Sequence, residues 1–284
     1  MNNILIIGNG FDSDHFKGIP DLKGINNFKS LKKEIKNENQ KIFNKINNTE
    51  GITVDWKNLE SIKPFLSKVD TSLFLDIVKN WANKIDEKAK NYKNFLFKSN
   101  FYEIIKKDNF IVLSLNYTNL IHSIYGVSKT KILQLHVNDN GLPYMDFNNI
   151  YNSNNNFEKS FGNSTEIPDS YKIAIGLIKE RRILENNINS LKDEVNIYIY
   201  GASLNGVDFK YFECLIFYLN NEWKDLKKIN MFIKINDDNC EQWKKRINRF
   251  FSIKPLKMNL RYEYVEKKEN VDGDWLNIMK KSNL

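Results

Sequence analysis

Residues 3–7, Asn-Ile-Leu-Ile-Ile, form a short apolar run rich in β-branched side chains that stops at Gly8-Asn9-Gly10. Continuous apolar runs of this length mark strands buried on both faces of a parallel sheet. Comparable runs recur at 110–115, 131–136, 196–200, 229–235 and 260–265. Six of them, separated by stretches with helical spacing, predict an α/β sheet. Between 28 and 108 the period changes. Phe74, Ile77, Val78, Trp81 and Ile85 step by three and four, which predicts one buried helix face. Leu31, Ile35, Ile42, Phe43 and Ile46 give residues 30–48 the spacing of a helix. The block 28–108 therefore reads as a helical insertion between the first and second strands of a single domain spanning 1–284. Residues 138–170, with Asn152, Asn154, Asn155, Asn156, Gly162 and Pro168, predict a long loop or lid.

Composition narrows the class. Hydrophobic residues are 41% and aromatics 13%, enough to build a core and too many for a disordered chain. No apolar run approaches the length of a membrane span, and Met1-Asn2-Asn3-Ile4 lacks a basic leader, so neither a span nor a signal peptide is expected. Cys214 and Cys240 are the only cysteines, which excludes a disulfide framework and a four-cysteine zinc module. A cytoplasmic location is expected, with no bound metal or cofactor. The formal charge of +8 invites a nucleic-acid partner. The chain also holds 43 Asn beside abundant Lys and Ile, however. AT-rich codons favour all three, so the basic excess reads first as a solvated surface. The helix around Lys244, Lys245, Arg246 and Arg249 has apolar Trp243, Ile247, Phe250 and Phe251 on its other side and reads the same way.

The sharpest local motif is Gly8-Asn9-Gly10-Phe11-Asp12 directly after the first strand. Glycines there let backbone approach a phosphate while the next helix aims its N–H groups at it. A full dinucleotide fingerprint needs glycine at 13, where Ser13 stands. The alternative is a tight strand-to-helix turn with no ligand. Three further motifs also close apolar runs: Ser114-Leu115-Asn116-Tyr117-Thr118, Leu135-His136, and Gly201-Ala202-Ser203-Leu204.

These elements, with Gly18-Ile19-Pro20-Asp21-Leu22-Lys23-Gly24, resemble the ordered motifs of sirtuins. Asn116 matches the asparagine of their Gln-Asn-Ile-Asp element, and His136 matches their catalytic histidine. A closer resemblance, over nearly the whole chain, is to the AbiH family of bacterial phage abortive-infection proteins. It is carried by Gly8–Asp12 with His15, Trp56-Lys57-Asn58-Leu59-Glu60, Asn116-Tyr117-Thr118, and Gly201–Leu204 with Asp208 and Tyr211-Phe212. The resemblance implies a sirtuin-like, Rossmann-type parallel sheet and a nucleotide-handling defence effector. Val137 stands where the family has glycine after the histidine. Thr118 stands where sirtuins place the aspartate that holds the nicotinamide amide. With the zinc module missing, deacetylation is not expected.

Each candidate has two readings. His136 is a general base or a hydrogen-bonded core histidine. Asn116 orients ribose or the attacking water, or caps the following helix. Asp12 lies near ribose or serves as a first-turn acid favoured by the helix dipole. His15 meets the ligand or occupies a surface helix position. Ser203 donates to ribose or phosphate, or closes a turn. Asp208 contacts the ligand or caps a helix whose Phe209, Phe212, Ile216 and Leu219 face the core. Gly8, Asn9, Gly10, Phe11 and Gly201 complete the expected nucleotide-binding set. Glu60 steadies a developing oxocarbenium ion or is a solvated helix residue, Trp56 is core, and His122 is structural. The expected activity is cleavage of the N-glycosidic bond of NAD, with NAD as substrate or ligand and a homo-oligomer as a further possibility. The competing classes are a nucleotide sensor without turnover and a toxin acting on nucleic acid.

Overall fold

The computed structural model describes residues 2–47, 66–107, 110–137, 194–202, 208, 211–212, 215–216, 219, 227–234, 245, 247–248 and 259–264. All six expected strands form: β1 Asn2–Ile7, β2 Phe110–Ser114, β3 Ile132–Gln134, β4 Glu194–Tyr200, β5 Lys228–Lys234 and β6 Asn259–Tyr264. They pair in the order β3-β2-β1-β4-β5-β6, every pair parallel. The fold is thus mixed α/β around one parallel sheet. β3 is shorter than its apolar run suggests. Lys131 belongs to a 3-10 turn, and Leu135 and His136 lie past the last paired residue.

The period-two geometry of strands sorts the side chains into two faces. Leu5, Ile7, Phe110, Val112, Tyr198, Tyr200 and Phe232 join the main core with the helices. Ile4, Ile6, Ile111, Leu113, Ile197, Ile199 and Met231 are buried on the other face. Both faces are dry, which is why the strands read as continuous apolar runs rather than as alternation.

Between β1 and β2 the described residues form α1 Asn9–Phe16, α2 Phe28–Glu38, α3 Gln40–Asn47, α4 Lys68–Lys90, α5 Lys93–Leu96 and α6 Ser99–Lys107. After β2 comes α7 Leu120–Tyr125. The expected face of α4 is correct: Phe74, Ile77, Val78, Trp81 and Ile85 are all buried. Its start is a reciprocal cap in which Ser67 Oγ accepts from Asp70 N and donates to the Asp70 carboxylate. The helical spacing of 30–48 resolves into two helices, not one. Asn39 breaks it, because its N–H closes α2 on Ile35 O while its side chain accepts from Ile42 N and starts α3.

Helix α4 packs on α2, α5 and α7, and the 18–24 segment is tied to its end. Lys88 Nζ donates to Asp21 O, and the Tyr92 hydroxyl donates to the Asp21 carboxylate. The Gly-Ile-Pro-Asp stretch therefore docks the insertion onto the turn after α1. No helix among the described residues is long and apolar enough to cross a membrane. Trp56, Glu60, Ser203, Phe209, Trp243 and the 138–170 loop lie outside the described residues. Lys245 is exposed and Ile247 buried, as the amphipathic reading of that stretch requires.

Candidate functional site

The sheet grows one way from β1 through β2 to β3, and the other way from β4 through β5 to β6. Such a reversal leaves a crevice at the carboxyl ends of the two central strands, here β1 and β4. The loops carrying Gly8, Asn116, His136 and Gly201 all leave strands at this edge.

The glycines meet one another there. Gly201 has φ of +66°, and a Cβ on it would stand 2.2 Å from Phe11 N. A Cβ on Gly8 would lie 2.5 Å from Ala202 Cα, and one on Gly10 would lie 2.7 Å from Gly201 Cα. Gly8 N donates to Tyr200 O at 3.0 Å, and Gly10 N donates to Gly201 O at 2.9 Å. The close backbone approach that glycine permits is therefore made with the end of β4, and these two amides are used within the protein. Asn9 remains exposed at the tip. Asn26, buried, holds that tip by donating to Asn9 Oδ1 at 2.8 Å and Ser13 Oγ at 3.1 Å.

Phe11, Asp12, His15 and Phe16 are the buried residues of α1. His15 is a core residue rather than a surface one. Its Nδ1 faces Phe11 O at 2.8 Å, and a carbonyl only accepts, so Nδ1 carries the proton. Nε2 then accepts from the Tyr125 hydroxyl. Phe11, Phe101, Tyr125 and Tyr200 surround the ring. This network seats α1 against α6, α7 and β4.

Asp12 is 1% exposed. Its carboxylate accepts from Asn116 Nδ2 at 2.8 Å and from the Thr118 hydroxyl. Burial pushes its pKa up to about 7, with the Asp86 charge adding to the rise and the Thr118 and Asn116 hydrogen bonds opposing it. Asp86, on α4, accepts the Asn119 N–H with both oxygens, at 3.0 and 2.8 Å. Burial raises it to about 6 against the pull of that N–H and of Lys90. Gln134 closes the ring of contacts by donating to Thr118 O at 3.2 Å and Asn119 Oδ1 at 3.0 Å. The 116–119 loop is thus clamped from α1, α4 and β3. The residue capping α7 is Asn119, not Asn116. Asn116 Oδ1 is buried with no hydrogen-bond partner among the described residues.

His136 is buried beside this loop. Its Nε2 lies 2.9 Å from Asp208 Oδ1, within ion-pair reach when the imidazole is protonated. The Tyr117 hydroxyl is 3.4 Å from Nδ1, and the Tyr117 ring meets the imidazole edge-on at 5.5 Å. The Tyr211 ring lies 5.7 Å from the imidazole, centroid to centroid, and its hydroxyl donates to Leu135 O at 2.9 Å. Asp208 is helical, with Tyr211, Phe212, Leu215, Ile216 and Leu219 buried behind it. The structure therefore joins Asp208 to His136, and Asp12 to Asn116. Sequence reasoning had each of the four as a separate candidate. It missed Asn26, Asp86, Tyr117 and Gln134 as contributors. Tyr117 alone carried a signal, as the aromatic between two polar motif residues. His122 is structural, its Nδ1 on Val127 O at 2.8 Å.

The chemistry available is proton transfer and polar recognition. Among the described residues no cluster of His, Cys, Asp or Glu could hold a metal ion. A carboxylate only accepts, so Asp208 favours the His136 proton on Nε2 and leaves Nδ1 as the basic nitrogen. Comparison with known proteins adds one result: a family model described as bacteriophage abortive infection AbiH matches residues 66–227, more than half of the chain. The match contains Asn116, His136, Gly201 and Asp208, while Gly8 to His15 and Trp56 to Glu60 precede it. No curated protein and no solved structure matches the chain.

Proposed function

Because the chain belongs to the AbiH family of bacteriophage abortive-infection proteins, we propose that it is a defence effector that hydrolyses the N-glycosidic bond of NAD. The observation that carries this reading is His136 with Asp208 and Tyr117, beside a loop that presents Asn116, at the crevice edge of a parallel sheet. The strand order is the one used by doubly wound dinucleotide-binding sheets. On this reading the sheet is Rossmann-type and sirtuin-like, with 28–108 inserted as a helical subregion of one domain.

NAD lies across the β1/β4 switch point, with Asn9 and the start of α1 toward its pyrophosphate and the N-ribosyl bond near His136. A water oxygen bonds to the ribose C1′ while the C1′–N bond breaks. The bonding pair leaves on the nicotinamide nitrogen, which neutralises the pyridinium. The proton of the water passes to His136 Nδ1, and Asp208 stabilises the imidazolium. A positioned base of this kind contributes about 10²–10⁴ in rate.

Purified protein incubated with NAD, with and without phage lysate, should release nicotinamide measured by chromatography. No release under either condition overturns the reading. A sensor without turnover is favoured by one observation: the Thr118 hydroxyl is committed to Asp12, so it does not replace the amide-holding aspartate of sirtuins. Tight calorimetric binding of NAD or ADP-ribose with the ligand recovered intact would select that alternative.

A further inference from the structure

Asp12 was a candidate for touching the ligand, yet its carboxylate is enclosed and engaged by Asn116 Nδ2 and Thr118 Oγ1. Its effect on the site runs through Asn116. A side-chain amide has a donor end and an acceptor end that differ little in shape, and its neighbours decide which way it faces. An ionised carboxylate accepts only, so it takes the Nδ2 end and turns Oδ1 the other way. Oδ1 is then a buried acceptor with no partner among the described residues. A buried acceptor left without a donor costs free energy, and a bound O–H donor removes that cost.

We propose that Asp12 is a positioning residue that locks the Asn116 amide in one orientation, so that Oδ1 is offered as an acceptor to an O–H donor in the crevice. This rests on the NAD reading for the identity of the donor, which is a ribose hydroxyl or the attacking water. The rest of the loop supports it. Asp86 holds Asn119 N and Gln134 holds Thr118 O after Asn116, and Leu115 N donates to Ile7 O before it, so the backbone carrying Asn116 is fixed on both sides. Asp86 on α4 is the charged group that acts on Asp12. The contacts from the loop after β2 are the neutral Asn116 and Thr118. Asn230 Oδ1 is also unpartnered. It lies at the amino-terminal half of β5, away from the crevice edge, and its register neighbour on β6 is Arg261. Position at the switch point separates the two.

Two measurements test the proposal, and the first needs no substrate. In ¹H–¹⁵N spectra of the full chain, the Asn116 side-chain NH₂ signal is assigned by its loss in Asn116→Ala and followed from pH 5 to 9. The signal should titrate with the buried carboxylate in the parent protein and cease to titrate in Asp12→Asn. A signal indifferent to both pH and Asp12→Asn overturns the proposal, whatever the protein does to NAD. The second is nicotinamide release by Asp12→Asn, Asn116→Ala and the double variant, with melting temperatures recorded for each. Each single change should lower kcat/KM at least about tenfold, and the double should be no worse than Asn116→Ala alone. Losses that multiply overturn the proposal, because they place Asp12 in a role independent of Asn116. A fall confined to kcat identifies water as the donor, and a rise in KM identifies the ribose hydroxyl. If the parent protein releases no nicotinamide, the NAD reading fails while the spectra still decide the role of Asp12.

Discussion

The central strands bury polar side chains at both ends, and the two clusters differ in kind. At the amino end, Asn3, Asn196 and Asn230 stand side by side in register on β1, β4 and β5. Asn196 Nδ2 donates to Asn3 Oδ1 at 3.1 Å, and Asn230 Nδ2 donates to Asn196 Oδ1 at 2.9 Å and to Glu194. Lys228 neutralises Glu194 at 2.9 Å. At the carboxyl end, Asp12 is equally buried but ionisable, and it is shared with Asn116 and Thr118. An amide ladder carries no charge, so hydrogen bonds alone satisfy most of it. Its use is register, since a one-residue slip of any strand turns an asparagine to the opposite face. A carboxylate in the same setting is costly, and the protein keeps it where crevice, histidine and glycine turn converge. Each cluster leaves one amide oxygen unpartnered, so an orphan acceptor by itself does not tell a site from a brace.

The contrast can be broken by substitution. The largest effect is expected for His136→Ala, which should lower NAD turnover by about 10²–10⁴ while leaving the melting temperature within a few degrees. A comparable loss of folding instead of turnover would make His136 a brace like the amino-end ladder.

Next comes pH. Asp12 and Asp86 have pKa values raised to about 7 and about 6. Between the ordinary carboxylate range and those values, the folded protein holds more protons than the unfolded chain. Stability should therefore fall as pH rises from about 4 to 7, by up to about 4 kcal/mol from Asp12, and level off above. Urea unfolding at a series of pH values measures this. Asp12→Asn should flatten the slope and raise stability at pH 8, and a slope unchanged by the substitution would remove the charge from the comparison.

Asn196→Ala should cost about 2 kcal/mol, because it strands Asn3 Oδ1 and removes one of the two acceptors of Asn230 Nδ2, with turnover per folded molecule unchanged. A specific loss of turnover would show that the ladder belongs to the site. The smallest effect is expected for Tyr117→Phe. It keeps the edge-on ring against His136 and removes the 3.4 Å hydroxyl contact to Nδ1, so turnover should drop less than about tenfold, roughly 1 kcal/mol.

How far these regions were legible differs in the same way. Both polar clusters involve residues that the strand pattern counts simply as strand or strand end. Asn3 and Asn196 open apolar runs, and nothing in their local sequence says that they face each other. Gly8, Gly10 and Gly201 were readable as turn residues. That their close approach is to one another depends on β1 and β4 being neighbours, which is a crossover property. Asn39 was hidden because helical spacing carries through a one-residue cap. Asp86 looked like one more polar position on an amphipathic helix until α4 docked over the start of α7.

The sequence by itself determined the six strands and the buried face of α4. Strands wet on neither face are mostly apolar, and a helix buried on one side must repeat every three to four residues, so both leave local signatures. It also carried the family resemblance, through short motifs at strand ends. Only the tertiary structure decided the partnerships. Asp12 and Asn116 are 104 positions apart, and His15 and Tyr125 are 110 apart. Asp208, which follows β4 in the chain, lies 2.9 Å from His136 just past the end of β3, although β2 and β1 stand between those two strands in the sheet. Hydrogen bonds and pKa shifts between distant residues follow from strand order and helix docking. No local period encodes either, so the chemistry of the crevice emerges only when the sheet is assembled.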